Sequence, residues 1–462
     1  MNSRILRIEL RRSVAPWAGA AVLAAALAFL HLIPGPWWNG TAPWTAQWTS
    51  MALWTRFPLM FLWPLAVGLG ALQGLRDHRS KMSELLTGTP RPARHRAAVL
   101  AGTTAFTLVS AFGLLVLLGA VRVLVSGASY AHLGWLPVSL VGALALAAGA
   151  ALGMGVARAL PSILTPPVLA VGAFLFTTLV RQTTDAAVPT SAAPNRLSLL
   201  SPAVPEVRET LLTLSAPVHL GQTVWLLGMA ATGLALLAAT TPRVRLLALT
   251  PLVAGGAVAL LLLPAGPRAT HVVDRAAAAP VCDGPVCVTT AQRARLDALA
   301  GPGKEALRLL GAALGGQAPA TVHETTVPRA LGDTPERSRD SVLVDFDDGM
   351  IAGAAGGERL TRALVAQGMA PVCHPRSATE SGTLDEAAAQ SIGAAWALGE
   401  DLRPLDGTMH AASHQEEVAR PVWEVFTALP RPEQRLRIGA MHAAAVSCSG
   451  DVLAALTGGA SG

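Results

Sequence analysis

Long apolar stretches separated by short polar ones fill the first 265 residues of the chain. A helix crosses a bilayer with about 20 predominantly apolar residues. Val14–Ile33, Phe57–Leu75, Ala97–Val125, Leu136–Leu160, Leu220–Thr240 and Leu246–Pro264 are read as spans on that basis. Thr165–Val180 is a shorter one, with Pro166 and Pro167 at its start. It crosses only if flanking groups snorkel or the bilayer thins. Arg4, Arg7, Arg11 and Arg12 precede the first stretch. Such a charged start also opens signal peptides, but this run is too long and no A-x-A cleavage site follows, so it reads as a retained first helix. After residue 265 the pattern shortens. Gln292–Gly315 has helical periodicity broken at Gly301-Pro302-Gly303, and Thr321–Val327 and Ser341–Phe346 alternate as strands. Leu384–Gly399, Met409–Leu429 and Glu433–Ser447 read as helices, the last two separated by Pro430 and Pro432. The expected architecture is an α-helical polytopic membrane domain of about seven spans (1–265), followed by a mainly helical α+β domain (266–462).

Composition supports the division. Hydrophobic residues make up 52% and charged residues 14%, whereas a soluble surface needs roughly 25% charge. Up to Ala265 there are 18 Lys and Arg against 6 Asp and Glu; from Gly266 onward the count is 17 against 23. The basic excess therefore sits beside apolar stretches, and no nucleic-acid partner is expected despite the basic isoelectric point. Cytoplasmic loops carry the Lys/Arg excess. A cytoplasmic amino terminus puts 13 basic residues inside and leaves Arg56, Arg122, Arg181, Arg196 and Arg208 outside. Seven crossings then place residues 266–462 outside the plasma membrane. All four cysteines lie in that part, which suits an oxidising compartment. Their spacing favours Cys282–Cys287 and Cys373–Cys448, although three pairings are open; four reduced, buried cysteines are the other reading.

The membrane half offers little chemistry of its own. No acidic residue falls in mid-span, which argues against a proton-driven carrier. Gly70/Gly74 and Gly149/Gly153 have the small-xxx-small spacing that lets helices approach closely. A P-loop needs G-K-[ST], but the only lysines, Lys81 and Lys304, precede Met82 and Glu305. ATP hydrolysis would belong to another chain. Trp37, Trp38, Trp44, Trp48 and Trp54 crowd the first outer loop, as interface anchors or as the wall of an aromatic vestibule.

Between the second and third spans, Arg76-Asp77-His78-Arg79 is followed by Glu84-Leu85-Leu86 and Thr89-Pro90-Arg91. This loop resembles the corresponding loop of exporter-type (type-2) permease subunits of ABC transporters, of an actinobacterial-like kind with an added extracytoplasmic C-terminal domain. Arg4–Arg11 is similar to their amphipathic first helix, and Arg181–His219, with Glu206–Leu214 as a short helix, to their re-entrant outer segment. The resemblance covers roughly residues 1–245; a seventh span and the outer domain lie beyond the six-helix plan. It implies a permease that couples to a separate ABC-type ATPase through Arg76, Asp77, Arg79, Glu84, Pro90 and Arg91. It also implies a second permease chain, identical or not, lining a shared pathway. Without the resemblance, the same loop is a solvated linker attracted to anionic lipid, and the chain is a membrane-anchored receptor or scaffold whose outer domain binds a ligand or a cell-wall component.

In the outer domain no H-E-x-x-H zinc motif and no G-x-S-x-G elbow occurs. His410, His414 and Glu417 have the spacing of a metal-binding helix face, a spacing that solvated faces share. Asp345, Asp347 and Asp348 follow a strand, where carboxylates can bind a cation, serve as acid and base, or simply end the strand. Cys373-His374 pairs a thiol with a base, but a disulfide is the favoured state of Cys373. No catalytic role, metal or cofactor is expected.

Overall fold

The computed structural model describes residues 15–458 apart from 36, 39–42, 46, 77–92, 129, 181–193, 205–210, 267–268, 327–334, 347, 355, 375–381 and 409. Two compact units divide the chain, the first reaching Val272 and the second starting at Val273.

The first unit is helical: α1 (Ala15–Leu32), α2 (Trp48–Arg56), α3 (Leu59–Gly74), α4 (Ala93–Val125), α5 (Trp135–Ala159), α6 (Thr165–Leu179), α7 (Ala216–Ala238), α8 (Pro242–Leu247) and α9 (Thr250–Leu262). Among the described residues, five helices are long and apolar enough to cross a membrane: α1, α4, α5, α7 and the α8–α9 run Pro242–Leu262. The α2–α3 pair, bent by 49°, makes a sixth if it is one span, and α6 is shorter. Large apolar side chains stand exposed on their outer faces, among them Leu140, Leu179 and Leu261. Water would penalise so much exposed apolar surface, and lipid accepts it. The unit is that of a helical membrane protein. The bend between α2 and α3 has a local cause. Pro58 has no N–H to carry the helix ladder on, and the Phe57 N–H bonds instead to the Trp54 carbonyl.

Glycine brings the central helices together. A Cβ on Gly70 or Gly74 of α3 would come within 2.7 or 2.8 Å of the Cα of Ala150 or Met154 in α5. Gly153 of α5 lies equally close to the backbone of Val67 and Ala71, and Gly149 lies under the Trp63 ring. The two small-xxx-small pairs thus face each other in one interface, where backbone dispersion replaces side-chain packing. The pattern repeats at Gly155 and Gly233 between α5 and α7, and at Gly228 and Gly255 between α7 and α9.

These contacts fix the helix directions. Trp48 stacks on Trp135 at 5.5 Å while Gly74 meets Met154, so α3 and α5 are parallel. Against them runs α6, with Ala170 beside Gly68 and Thr177 Oγ1 donating to the Met60 carbonyl. With α2–α3 and α8–α9 each taken as one segment, the helical segments alternate in direction along the chain. One end of the bundle gathers Trp37, Trp38, Trp44, Trp48 and Trp135; Trp37 and Trp38 Nε1 both donate to the Leu30 carbonyl near the end of α1. Arg76, Arg158 and Arg245 mark the opposite end, where Arg245 Nη1 donates to the Ala159 carbonyl, the last of α5. Two expectations need correction. Trp48 and Trp54 belong to α2 rather than to a loop, because α2 starts nine residues before the expected Phe57. Leu212–Leu214 is a strand (β1) paired with His271–Val273 (β2), not the end of a helix.

In the second unit a four-stranded sheet runs β3 (Pro280–Asp283), β4 (Val286–Thr289), β5 (Thr321–Glu324), β6 (Ser341–Val344), in that spatial order. The β3–β4 hairpin is antiparallel and turns at Gly284, whose φ of +62° favours glycine. β4, β5 and β6 are mutually parallel. Around the sheet stand α10 (Leu296–Leu314), α11 (Gly349–Gly353), α12 (Gly357–Met369), α13 (Leu384–Leu398), α14 (Ala412–Thr427), α15 (Arg431–Ser447) and α16 (Val452–Thr457). Val286, Val322 and Val344 of the sheet share one core with Leu310, Leu364, Ile392, Phe426 and Met441 of the helices. Both disulfides pair as the spacing favours: Cys282–Cys287 across the hairpin and Cys373–Cys448 between the segments after α12 and α15. The expected break at Gly301–Gly303 is absent, and α10 continues through Pro302. Gly303 lets the helix press on Val286, where a Cβ would lie 2.8 Å away, and burial of the α10 apolar face outweighs the proline's cost.

Candidate functional site

Two places collect polar groups that folding alone would avoid burying. The first is in the membrane half. Arg56, the last residue of α2, is 0% exposed. Its Nε and Nη2 donate to the Pro202 carbonyl at 3.1 and 2.6 Å, and Nη2 also reaches Gln222 Oε1 of α7 at 2.8 Å. Gln222 Nε2 donates in turn to the carbonyls of Leu199 and Ser201. The bend below Arg56 is thereby tied to the loop that precedes α7. Arg56 Nη1, His219 Nδ1 on α7, Ser215 Oγ at the α7 N-cap and Ser139 Oγ on α5 are buried without partners. No described carboxylate forms an ion pair with Arg56. A buried cation without a counter-ion costs several kcal/mol, and such a residue in a spanning segment marks a functional position by default. The charge rule counts Arg56 among the residues at the outer side; within the first unit its side chain is fully buried.

The second place is the carboxyl-terminal edge of the three parallel strands, the edge at which open sheets of this kind bind ligands. Glu324 closes β5, and its Oε2 accepts the Thr289 N–H at the end of β4 at 2.7 Å. Burial pushes its carboxyl up to about 7, with Asp345 adding to the rise, while the Thr289 hydrogen bonds and Arg295 oppose it. Arg295 itself lies over the Phe346 ring, 4.7 Å from its centroid. Glu324 is therefore half-protonated near neutral pH and can exchange a proton with a ligand or with solvent.

The remaining sequence candidates fall out as follows. Arg76 follows α3; Asp77, Arg79, Glu84, Pro90 and Arg91 lie outside the described residues, as does Arg4–Arg11. Asp345 follows β6, Asp347 is outside the described residues, and Asp348 caps α11 by accepting the Met350 N–H at 2.9 Å. His410 precedes α14 instead of sharing a helix face with His414 and Glu417, because the helix starts only at Ala412. The buried member of that string is Gln415, which bonds Leu405, Thr408 and His410. No group of three or more metal-ligating side chains occurs among the described residues. Cys373 is disulfide-bonded, so it is no nucleophile. Its N–H and the exposed His374 Nδ1 both engage Glu386 Oε1, at 2.8 and 3.0 Å, and Glu386 also completes the Thr383 capping box that starts α13.

Compared with known proteins, the chain matches no family model, no curated sequence and no solved structure.

Proposed function

We propose that this chain is the membrane-spanning permease subunit of an ATP-driven, ABC-type transporter in the plasma membrane. In this reading α1, α2–α3, α4, α5, α6, α7 and α8–α9 make seven crossings. The amino terminus is cytoplasmic, and the disulfide-bearing second unit is extracytoplasmic. ATP is hydrolysed by a partner subunit that docks on the loop 76–96, and a second permease chain completes the pathway. The observation that carries the reading is the asymmetry of the bundle. Its basic end, with Arg76, Arg158 and Arg245, adjoins the loop 76–96, while tryptophans crowd the opposite end. A basic end favours the cytoplasmic face, which is where an ATPase is. The test is purification of the intact protein from its native membrane. A co-purifying nucleotide-binding subunit, lost with Glu84→Arg, is expected. If no ATPase accompanies the protein and Glu84→Arg leaves cell function unaltered, the permease reading fails.

The receptor or scaffold reading draws on the strand edge around Glu324, a site in the second unit that transport does not require. It gains if the outer unit binds an envelope component while no ATPase is found.

A further inference from the structure

The second unit has a cleft between the segment entering β6, the last turn of α12 and the face of α15, lined among others by Arg337, Ser338, Arg339, Ser341, Gln367 and His442. We propose that this cleft binds the anionic end group of a small ligand, a carboxylate or a phosphate, with Arg337 as the main contact and Arg339 at its mouth.

The argument starts with Arg337. A guanidinium keeps its charge at any physiological pH and can only donate. Arg337 Nε and Nη1 are both shielded from solvent and have no acceptor. Other half-buried arginines of the same unit end on oxygens. Arg362 reaches Glu400 Oε2 and the Arg403 carbonyl, each at 2.8 Å. Arg437 reaches Glu433 Oε1 and the Leu456 carbonyl. Buried donors are nearly always satisfied; Arg362 leaves one nitrogen, Nε, without a partner, whereas Arg337 leaves two.

The surroundings make an acceptor from within the unit a poor answer. Glu336, the carboxylate in the lining, accepts from Thr325 Oγ1 at 3.2 Å and forms no ion pair with Arg337. Ser338 Oγ is occupied by the N–H groups of Asp340 and Ser341. Gln367 Oε1 accepts from Gln390. Arg339 adds a second positive charge. It helps burial to hold His442 below the usual imidazole range, so the imidazole, whose Nδ1 bonds the Met369 carbonyl at 3.1 Å, stays neutral and adds no repulsion of its own. The two cations and one carboxylate leave a net positive cleft. It encloses about 10 Å³, room for about one water-sized oxygen. A whole ligand does not fit, but one oxygen of a terminal carboxylate or phosphate does, with the rest of the ligand outside. Arginine suits this task because its guanidinium stays charged and forms strong charge-assisted hydrogen bonds to an oxygen of either group.

Calorimetry on the full-length protein in uncharged detergent, at constant ionic strength, tests the proposal with inorganic phosphate and with acetate as probes. Saturable binding of at least one is expected, and the preferred probe distinguishes phosphate from carboxylate ligands. Arg337→Gln should weaken it at least tenfold and Arg339→Gln severalfold, whereas Arg420→Gln on α14 should leave it unchanged. Absence of saturable binding by either probe overturns the proposal, as does equal affinity in Arg337→Gln. If Arg337→Gln does not fold, the exposed Arg339→Gln decides: an unchanged affinity there overturns it as well.

Discussion

Replacing Glu324 by glutamine should stabilise the second unit at alkaline pH and leave it nearly unaltered in acid. The folded carboxyl titrates at about 7 against an ordinary value of 4.5. Its pKa is raised, so between those values the folded unit holds a proton that the unfolded chain has released. Stability therefore falls as pH rises through that window, and the whole cost is present above it. At about 1.36 kcal/mol per decade the difference corresponds to roughly 3 kcal/mol. That is an upper figure, because Arg295 and the Thr289 N–H adjust around the charge. Glutamine can still accept from Thr289 through its amide oxygen, but it carries no charge to desolvate. In a unit of this size about 1 kcal/mol moves the melting temperature by roughly 2–4 °C. Glu324→Gln should thus raise the melting temperature by on the order of 5 °C or more near pH 8, and by almost nothing near pH 4. Scanning calorimetry of the purified protein across that range reads both limits. A gain of equal size at the two extremes, or none at either, would show that burial does not govern Glu324 and refute the account.

Other outcomes follow from the packing. Gly153→Leu should push α3 and α5 apart, costing about 1–3 kcal/mol or more, seen as unfolding at lower detergent denaturant; Leu140→Ala on the exposed face should do far less. Arg56→Ala should destabilise the first unit by on the order of 3 kcal/mol, because it strands the Pro202 carbonyl and Gln222. Arg56→Lys should rescue little of this, since one ammonium cannot copy the contacts of two guanidinium nitrogens. Cys448→Ser opens a bridge between residues 75 apart in sequence and should lower the stability of the second unit by roughly 2–4 kcal/mol. Reductant should mimic it in the parent protein and have no further effect in the variant beyond that of Cys282–Cys287.

Apolar length made the helices of the first unit legible, and their ends moved little: Ala97–Val125 became Ala93–Val125, and Leu136–Leu160 became Trp135–Ala159. The exception was Phe57–Leu75. Trp48–Arg56 mixes Trp, Thr, Ser and Arg, so hydropathy gave no sign that it continues the same bent element; tertiary burial did. Of the three pairings open in the sequence, the one that spacing favours is the one formed. The β3–β4 hairpin was missed although Val281-Cys282-Asp283-Gly284-Pro285-Val286-Cys287-Val288 holds a D-G turn between alternating residues. The polar sites were the least legible. Arg56, Glu324 and Arg337 look like ordinary surface charges in sequence, and their burial depends on chain segments far away: Pro202 and Gln222 for Arg56, Thr289 for Glu324, His442 for the Arg337 cleft.

The glycine contacts that run from α3 through α5 and α7 to α9 carry a mechanical consequence. Side chains between helices act as a lubricant, since rotamer changes let one helix slide on another at small cost. Here the main chains themselves touch, so sliding by even an ångström drives carbonyl into Cα. Those four helices form a stiff plank, and any change of shape in the bundle has to be taken up by α1, α4 and α6, or by the bend at Pro58 that Arg56 secures.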